Sequence, residues 1–89
     1  MRSIAFHNRS FQEYEKLRQK NKKLHIKLLK ILVEMQRSNP WEGTGKPEML
    51  KGEYSGLWLR RLNAKDRLIY RFDEKTIYIF AIGGHFDDH

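Results

Sequence analysis

The most regular hydrophobic pattern lies in the first half of the chain, where apolar residues recur at helical spacing. A short mixed segment, Arg2–Phe6, is a candidate strand before it. Apolar side chains at intervals of three then predict a first helix from Ser10 to about Lys20. Asn8 or Ser10 could cap this helix, and Ser10 has Glu13 three residues on, which is the spacing of a capping box. Asn21 is expected to end the first helix or to cap the second.

The second helix, predicted from about Lys22 to Arg37, carries the strongest periodicity in the chain. Its apolar stripe consists of Leu24, Leu28, Ile31, Leu32 and Met35. Four of the lysines on its other faces are Lys22, Lys23, Lys27 and Lys30. Each lysine taken singly is most simply a solvated surface residue, whereas together they contribute to a field that attracts a polyanion. The two interpretations are compatible with each other.

Three stretches in the second half show the composition and alternation of strands. They are Tyr54–Leu62, Arg67–Phe72 and Thr76–Ile82. The short turns between them predict an antiparallel meander, and the last stretch is apolar on both faces, as an interior strand would be. We therefore predict one α+β domain over residues 1–89. Its two N-terminal helices should pack on one face of a small, mostly antiparallel β-sheet.

Charge and composition narrow the classes of partner. The net charge is +7 and the calculated pI is 9.9, which favours nucleic acid, an acidic protein or an anionic surface as partner. The sequence contains no cysteine, so disulfides and thiolate metal sites are excluded. No apolar run approaches the length of a membrane span, and the N-terminus lacks a signal-peptide core. We expect a cytoplasmic protein with no membrane partner.

Candidate chemistry is concentrated between residues 45 and 70 and near the C-terminus. Alternation along two successive antiparallel strands predicts that Arg61 and Arg67 project from the same sheet face, away from the helices. Arg60 should point the opposite way and serve the structure. Glu48 lies on the segment that leads into the sheet, and His85 follows the last strand.

A carboxylate, an imidazole and fixed cations are the groups that metal-free RNA cleavage requires. One group removes the proton of the 2′-hydroxyl, another protonates the 5′-oxygen, and arginines stabilise the charge on phosphorus. We expect neither a metal nor another cofactor, because the sequence has no cysteine and because Asp87, Asp88 and His89 belong to the C-terminal tail, outside any predicted helix or strand. From composition alone, a surface ion pair for Glu48 and a solvated His85 remain the commoner interpretation.

Four motifs in order carry a resemblance to a known family. They are G-x-G-K-P-E-x-L-K, S-G-L-W-L-R-R-L, D-R-L-I-Y and a histidine followed by an aromatic residue near the end. This set resembles the YoeB/Txe family of bacterial toxins, within the RelE superfamily. The resemblance implies a RelE-like fold and the toxin component of a type II toxin–antitoxin system. It further implies a ribosome-dependent mRNA endonuclease, or mRNA interferase, that cuts in the A site without a metal.

The resemblance also implies partners and residue roles. The partners are the 70S ribosome with its mRNA and a cognate acidic antitoxin of the YefM/Axe type, in a homodimer or a toxin–antitoxin hetero-oligomer. The implied catalytic residues are Glu48 as general base, Arg67 as phosphate-stabilising group and His85 as general acid. The implied contacts to RNA and phosphate are Lys46, Lys51, Arg61 and Phe86. The lysines of the second helix are expected to dock on ribosomal RNA.

The chain departs from the family pattern at Phe86, where the family commonly has tyrosine. Phenylalanine lacks the hydroxyl group but can still stack on a base. Two alternatives stay open: a ParE-like toxin that inhibits DNA gyrase by binding, and a nuclease-dead regulator held by an antitoxin. The set Glu48, Arg67 and His85 argues against the first, and Phe86 is the only support for the second.

Overall fold

A computed structural model describes residues 1–84, which form five strands, two α-helices and one short 3₁₀ helix. The elements are β1 (Ser3–Phe6), α1 (Ser10–Lys20), α2 (Lys22–Arg37), β2 (Glu48–Met49), the 3₁₀ helix (Gly52–Tyr54), β3 (Trp58–Arg61), β4 (Arg67–Phe72) and β5 (Thr76–Gly83). Both predicted α-helices are confirmed with the expected bounds. Neither helix in this part of the chain has the length and apolar content needed to cross a membrane.

The five strands form one sheet in the order β1-β5-β4-β3-β2. Strand β1 pairs with β5 in parallel, and every other pairing is antiparallel. The parallel pair requires a crossover, which α1 and α2 provide between β1 and the rest of the sheet. The predicted meander of β3, β4 and β5 and the α+β fold class are confirmed.

The hydrophobic core lies between the helices and one face of the sheet. All five residues of the predicted α2 stripe are buried, as their spacing requires. The sheet contributes Leu62, Leu68, Tyr70, Ile77 and Ile79 to the same cluster. Alternation along the strands therefore directs every second side chain of β3 and β4, and those of β5 that do not enter the core, to the other face. We call this second surface the open face; Glu48, Leu59, Arg61, Arg67 and Ile69 define it.

The predicted capping box at the start of α1 is wrong. Arg9 is the N-cap residue, and no side chain caps this end of the helix. The Ser10 hydroxyl instead donates to the carbonyl of Ile79 at 2.9 Å, and Glu13 accepts the backbone N–H of Ile82 at 2.9 Å. Both side chains thus join α1 to β5, because the hydroxyl donates to a carbonyl of that strand and the carboxylate accepts one of its N–H groups in place of a local cap.

The prediction for Asn21 is confirmed, whereas the predicted strand Tyr54–Leu62 is too long. The Asn21 side chain accepts the backbone N–H of Leu24 at 3.1 Å and so caps α2. Tyr54 ends a 3₁₀ turn and Gly56 has a φ angle of +96°, which a continuous strand does not contain, so β3 begins only at Trp58. The two-residue strand β2, which precedes this turn, was not predicted.

Candidate functional site

The open face brings together three of the residues singled out from the sequence. Arg61 on β3 lies directly opposite Arg67 on β4, so both side chains leave the same face, as predicted. Glu48 on β2 lies opposite Leu59, which stands two positions before Arg61 on the same strand. Because residues two apart on a strand share a face, Glu48 and the two arginines share the open face.

Arg67 has an unusual environment for a cation. Its Nη1 is buried and has no hydrogen-bond partner in the part of the chain that the structure describes. A buried guanidinium donor without a partner costs folding free energy, on the order of 1–3 kcal/mol or more. Arg61, its cross-strand neighbour, is exposed and carries the same charge. An anion at this position would relieve both the missing hydrogen bond and the like-charge contact.

The loop that carries the acidic residue to the sheet is held by Arg60, on the opposite side of β3. Arg60 is fully buried, and its Nη1 donates to Oε2 of Glu34 at 2.6 Å. Its Nε donates to the Tyr70 hydroxyl at 3.1 Å. The guanidinium also donates to four backbone carbonyl groups of the loop, those of Asn39, Pro40, Glu42 and Thr44. One buried cation therefore determines the path of the loop, which confirms the structural role predicted for Arg60.

Glu34 and Tyr70 complete this network, and sequence reasoning did not single them out. Burial alone would raise the pKa of Glu34, but hydrogen bonds from Thr44 and Arg60 outweigh it and hold the pKa below its ordinary value. Burial raises the pKa of Tyr70, whose hydroxyl donates to the Pro40 carbonyl at 2.6 Å. Glu34 therefore stays charged beside Arg60 while Tyr70 stays neutral.

Gly45 explains why the motif before Glu48 needs a glycine. The N–H of Arg61 donates to the Gly45 carbonyl at 2.7 Å, which brings the loop against β3. A Cβ atom at Gly45 would lie 2.7 Å from the Arg61 carbonyl oxygen, and the φ angle of +89° also disfavours other residues. This contact sets the position of Lys46 and Glu48, both exposed, next to the arginine pair.

The remaining predicted residues are distributed differently. Lys51 is exposed in the turn between β2 and the 3₁₀ helix. His85 and Phe86 lie outside the described residues 1–84, so the structure does not test their predicted proximity to the site. Among those residues, no three His, Cys, Asp or Glu side chains come together as metal ligands.

The four lysines of α2 are all exposed, but they do not share one surface. Lys23, Lys27 and Lys30 line a groove of about 530 Å³ whose other residues include Leu24, Ile26 and Leu62. Lys22 is not among the lining residues of that groove. The groove lies at α2 and not on the open face, so these lysines form a surface separate from the arginine pair.

Comparison with known proteins agrees with the motifs and the fold. The sequence model of the family described as "YoeB-like toxin of bacterial type II toxin-antitoxin system" matches residues 6–86. A protein of Synechocystis sp. named Toxin YoeB is 36% identical over 83 residues, which cover 93% of this chain and 95% of that protein.

Two solved structures from Staphylococcus aureus have the same fold. A YoeB–YefM complex contains a chain with a TM-score of 0.87 and 35% identity, covering 97% of this chain and 99% of that one. A YoeB dimer has a TM-score of 0.86 and 34% identity, covering 96% of this chain and 98% of that one. The chain therefore belongs to the family of YoeB-like toxins of bacterial type II toxin–antitoxin systems, with a RelE-like fold.

Proposed function

We propose that this toxin is a ribosome-dependent mRNA endonuclease that cuts mRNA in the ribosomal A site without a metal ion. The observation that carries the proposal is the open face, where Glu48 and two arginines stand together. There the buried Nη1 of Arg67 has no hydrogen-bond partner within residues 1–84. A scissile phosphate is an anion that such a nitrogen would bind, and a nearby carboxylate can accept a proton.

In the proposed reaction, the 2′-oxygen attacks the adjacent phosphorus while Glu48 accepts the hydroxyl proton. The bond from phosphorus to the 5′-oxygen breaks, and His85 donates a proton to that leaving oxygen. The products are a 2′,3′-cyclic phosphate, which can open to a 3′-phosphate, and a 5′-hydroxyl. Arg67, with Arg61 beside it, stabilises the negative charge that develops on phosphorus in the transition state.

The other RNA contacts assigned here complete the site. Lys46 and Lys51 supply positive charge along the mRNA backbone, since both are exposed near Glu48 in the chain. Phe86 stacks on a base, and its ring provides this interaction without a hydroxyl. On this assignment Phe86→Ala lowers single-turnover cleavage strongly, whereas Phe86→Tyr changes it little.

The decisive experiment is in vitro translation with primer extension on the message. The wild-type protein should produce discrete cuts at the A site, and Glu48→Ala and His85→Ala should each reduce cutting by about 10²–10⁴-fold. The matched control is Glu74→Ala, which removes an exposed carboxylate between β4 and β5 and should cut normally. Full cutting by a folded Glu48→Ala protein would contradict the role of this carboxylate.

The same assay, read together with the activity of DNA gyrase, separates the alternatives. Inhibition of DNA gyrase without any cut in the message would identify a ParE-like inhibitor. Absence of both effects would identify a nuclease-dead regulator. The proposed endonuclease requires the message to be cut during translation, in the bacterial cytoplasm where mRNA and ribosomes meet.

Ribosome docking is proposed for the lysines of α2. Each phosphate contact that is lost should flatten the plot of log K against log[salt] by about 0.7–0.9. Neutralising Lys23, Lys27 and Lys30, which line one groove, should therefore flatten the slope more than neutralising Lys22 alone. An unchanged slope after all four substitutions would mean that these lysines are solvated surface charges that do not contact phosphate.

A cognate acidic antitoxin of the YefM/Axe type is the proposed protein partner. The net charge of +7 favours an acidic partner, and the similar S. aureus toxin was solved in complex with YefM. The other S. aureus structure is a YoeB dimer, so we propose a homodimer for the free toxin and a hetero-oligomer with the antitoxin. Sedimentation equilibrium of the toxin with and without the antitoxin would test both assemblies.

A further inference from the structure

A second group of side chains occupies the open face away from Glu48. Phe80 stacks on His7 with 5.1 Å between ring centroids and 20° between planes. Tyr78 meets the same His7 ring edge-on at 5.3 Å. The guanidinium of Arg71 lies over the Tyr78 ring at 4.6 Å and over Phe80 at 6.0 Å. We call these four residues the aromatic patch.

The strands connect the aromatic patch to the arginine pair. Arg71 stands four positions after Arg67 on β4, so both side chains leave the open face about 13 Å apart along the strand. Tyr78 is the partner of Arg71 on β5. His7 follows β1 directly, and its N–H donates to the Ile79 carbonyl at 2.8 Å, which continues the parallel pairing beside Phe80.

Phe80 shares the face of Tyr78, two positions before it, and a β-bulge lies at Phe80. Ile69 pairs with Ala81, whereas the next residue, Tyr70, pairs with Ile79, so Phe80 is an extra residue between them. A bulge of this kind re-aims side chains and interrupts regular pairing, and bulges recur next to functional sites. Ile79 and Ile82 are thereby kept in the core while Tyr78 and Phe80 both face outward.

The patch is ordered before any ligand binds. The Tyr78 hydroxyl donates to Oδ2 of Asp73 at 2.9 Å. The backbone N–H groups of Lys75 and Thr76 also donate hydrogen bonds to Asp73, and these two bonds lower its pKa the most. Together with the Tyr78 hydroxyl they hold the pKa of Asp73 below its ordinary value. Asp73 therefore remains a charged acceptor that fixes the Tyr78 ring, and the rings need not lose rotational freedom on binding.

We propose that the aromatic patch binds a base of single-stranded RNA, with the guanidinium of Arg71 on the adjoining phosphate. Rings that stack on bases, combined with arginine, are how proteins hold single strands without base pairing. Charge complementarity favours the phosphate backbone of RNA as the occupant, because the patch places the Arg71 cation beside its rings on a chain of net charge +7. The identification of this RNA as mRNA flanking the cut rests on the proposed function; RNA binding itself does not.

The test measures binding of a fluorescent single-stranded RNA of about 12 nucleotides by anisotropy, at fixed salt and with the complete protein. The double variant Tyr78→Leu/Phe80→Leu keeps apolar side chains in β5 and removes the rings. We expect its affinity to fall by about 5-fold or more, the ratio that corresponds to roughly 1 kcal/mol of base stacking. The matched control is Phe11→Leu, which removes an exposed ring on α1 and should bind as the wild type.

An abasic strand of equal length separates stacking from charge. The wild type should bind it more weakly than the normal strand, whereas the double variant should bind both strands alike. Arg71→Ala should flatten the dependence of RNA affinity on salt. Arg37→Ala removes an exposed charge at the end of α2 and should leave the difference in affinity between the normal and the abasic strand unchanged. Equal RNA affinity of the double variant and the wild type would overturn the proposal.

Three further outcomes also decide the matter. A double variant that becomes monomeric where the wild type is a dimer, with unchanged RNA affinity, would make the patch a protein interface and refute the proposal. Loss of RNA affinity in the double variant supports the patch even if Glu48→Ala cuts mRNA normally, so failure of the proposed catalytic site is distinguishable. A wild-type protein that binds no free single strand would also refute it.

Discussion

Two arginines on neighbouring strands, Arg60 and Arg67, illustrate how one residue type serves opposite purposes. Arg60 points into the covered side of the sheet, where its Nε, Nη1 and Nη2 all donate hydrogen bonds. Arg67 points to the open face, where its buried Nη1 has no partner among residues 1–84. Each side chain removes part of a cation from water, but among residues 1–84 only Arg60 has hydrogen-bond partners for all three of its nitrogens.

The difference in hydrogen bonding separates a structural cation from one available to a ligand. A satisfied buried guanidinium fixes the segments around it, here the loop that leads to Glu48. A buried guanidinium donor without a partner destabilises the fold, and proteins retain such a donor mainly where a ligand or substrate binds it. The comparison predicts that removing Arg60 damages the fold, whereas removing Arg67 damages function.

The largest effect is expected for Arg60→Leu. The substitution removes the charged partner of Glu34 and a donor to several loop carbonyls, and breaking a buried ion pair in this way costs about 3–5 kcal/mol. Urea unfolding monitored by tryptophan fluorescence should show a loss of that size, or no cooperative transition at all. Arg60→Lys should recover only part of it, because an ammonium cannot replace the planar fork that reaches the Glu34 carboxylate and the loop carbonyls together.

The control for this prediction is Arg61→Leu, the next residue along β3, whose side chain is exposed. Its stability should stay close to that of the wild type, since surface substitutions usually change stability by less than about 0.5 kcal/mol. Equal stabilities of the Arg60→Leu and Arg61→Leu proteins would show that the buried network contributes little.

Arg67→Met should produce the converse result. Stability should be unchanged or higher, because the substitution removes a buried donor that has no partner. Single-turnover cleavage on programmed ribosomes should fall by about 100- to 1,000-fold, the usual effect of removing one group that stabilises transition-state charge. Ribosome binding, measured by co-sedimentation, should weaken far less than cleavage. Normal cleavage with weak binding would make Arg67 a docking residue instead.

Arg61→Ala should have a smaller effect on cleavage. Arg61 is exposed, so water screens its interaction with a phosphate, which is then worth about 1 kcal/mol or roughly 5-fold in rate. The same substitution removes a like charge directly opposite Arg67, so the protein should become slightly more stable. A loss of cleavage as large as that of Arg67→Met would show that both arginines contact the reacting phosphate in a water-excluded site.

Part of this arrangement was predictable from the sequence. Alternation in two adjacent strands, joined by a short turn, sufficed to predict that Arg61 and Arg67 share a face and that Arg60 does not. The apolar stripe of α2 likewise predicted which helix surface is buried. These inferences depend only on local periodicity, which the backbone geometry of helices and strands imposes directly.

Other features depend on residues distant in the chain, and local patterns do not reveal them. Glu34 meets Arg60 across 26 positions of sequence, so nothing near either residue indicates the pair. Strand β2 is only two residues long and exists because the loop is held against β3, which gives it no periodicity to detect. That the Nη1 of Arg67 is buried without a partner among residues 1–84 is equally invisible in the sequence.

The smallest expected effect concerns the pH dependence of the Arg60 network. The pKa of Glu34 lies below its ordinary value of 4.5, so its contribution to stability is complete above that value and is lost as the pH falls through the folded-state pKa. Glu34→Gln removes this titration and retains an acceptor oxygen for Arg60. The loss of stability between about pH 7 and about pH 3 should therefore be smaller in the variant, by roughly 1 kcal/mol because the carboxylate is partly exposed. Asp73 titrates in both proteins and cancels from the difference, which urea midpoints at the two pH values would measure. An identical acid dependence of both proteins would mean that the charge of Glu34 adds nothing to the hydrogen bonds it accepts.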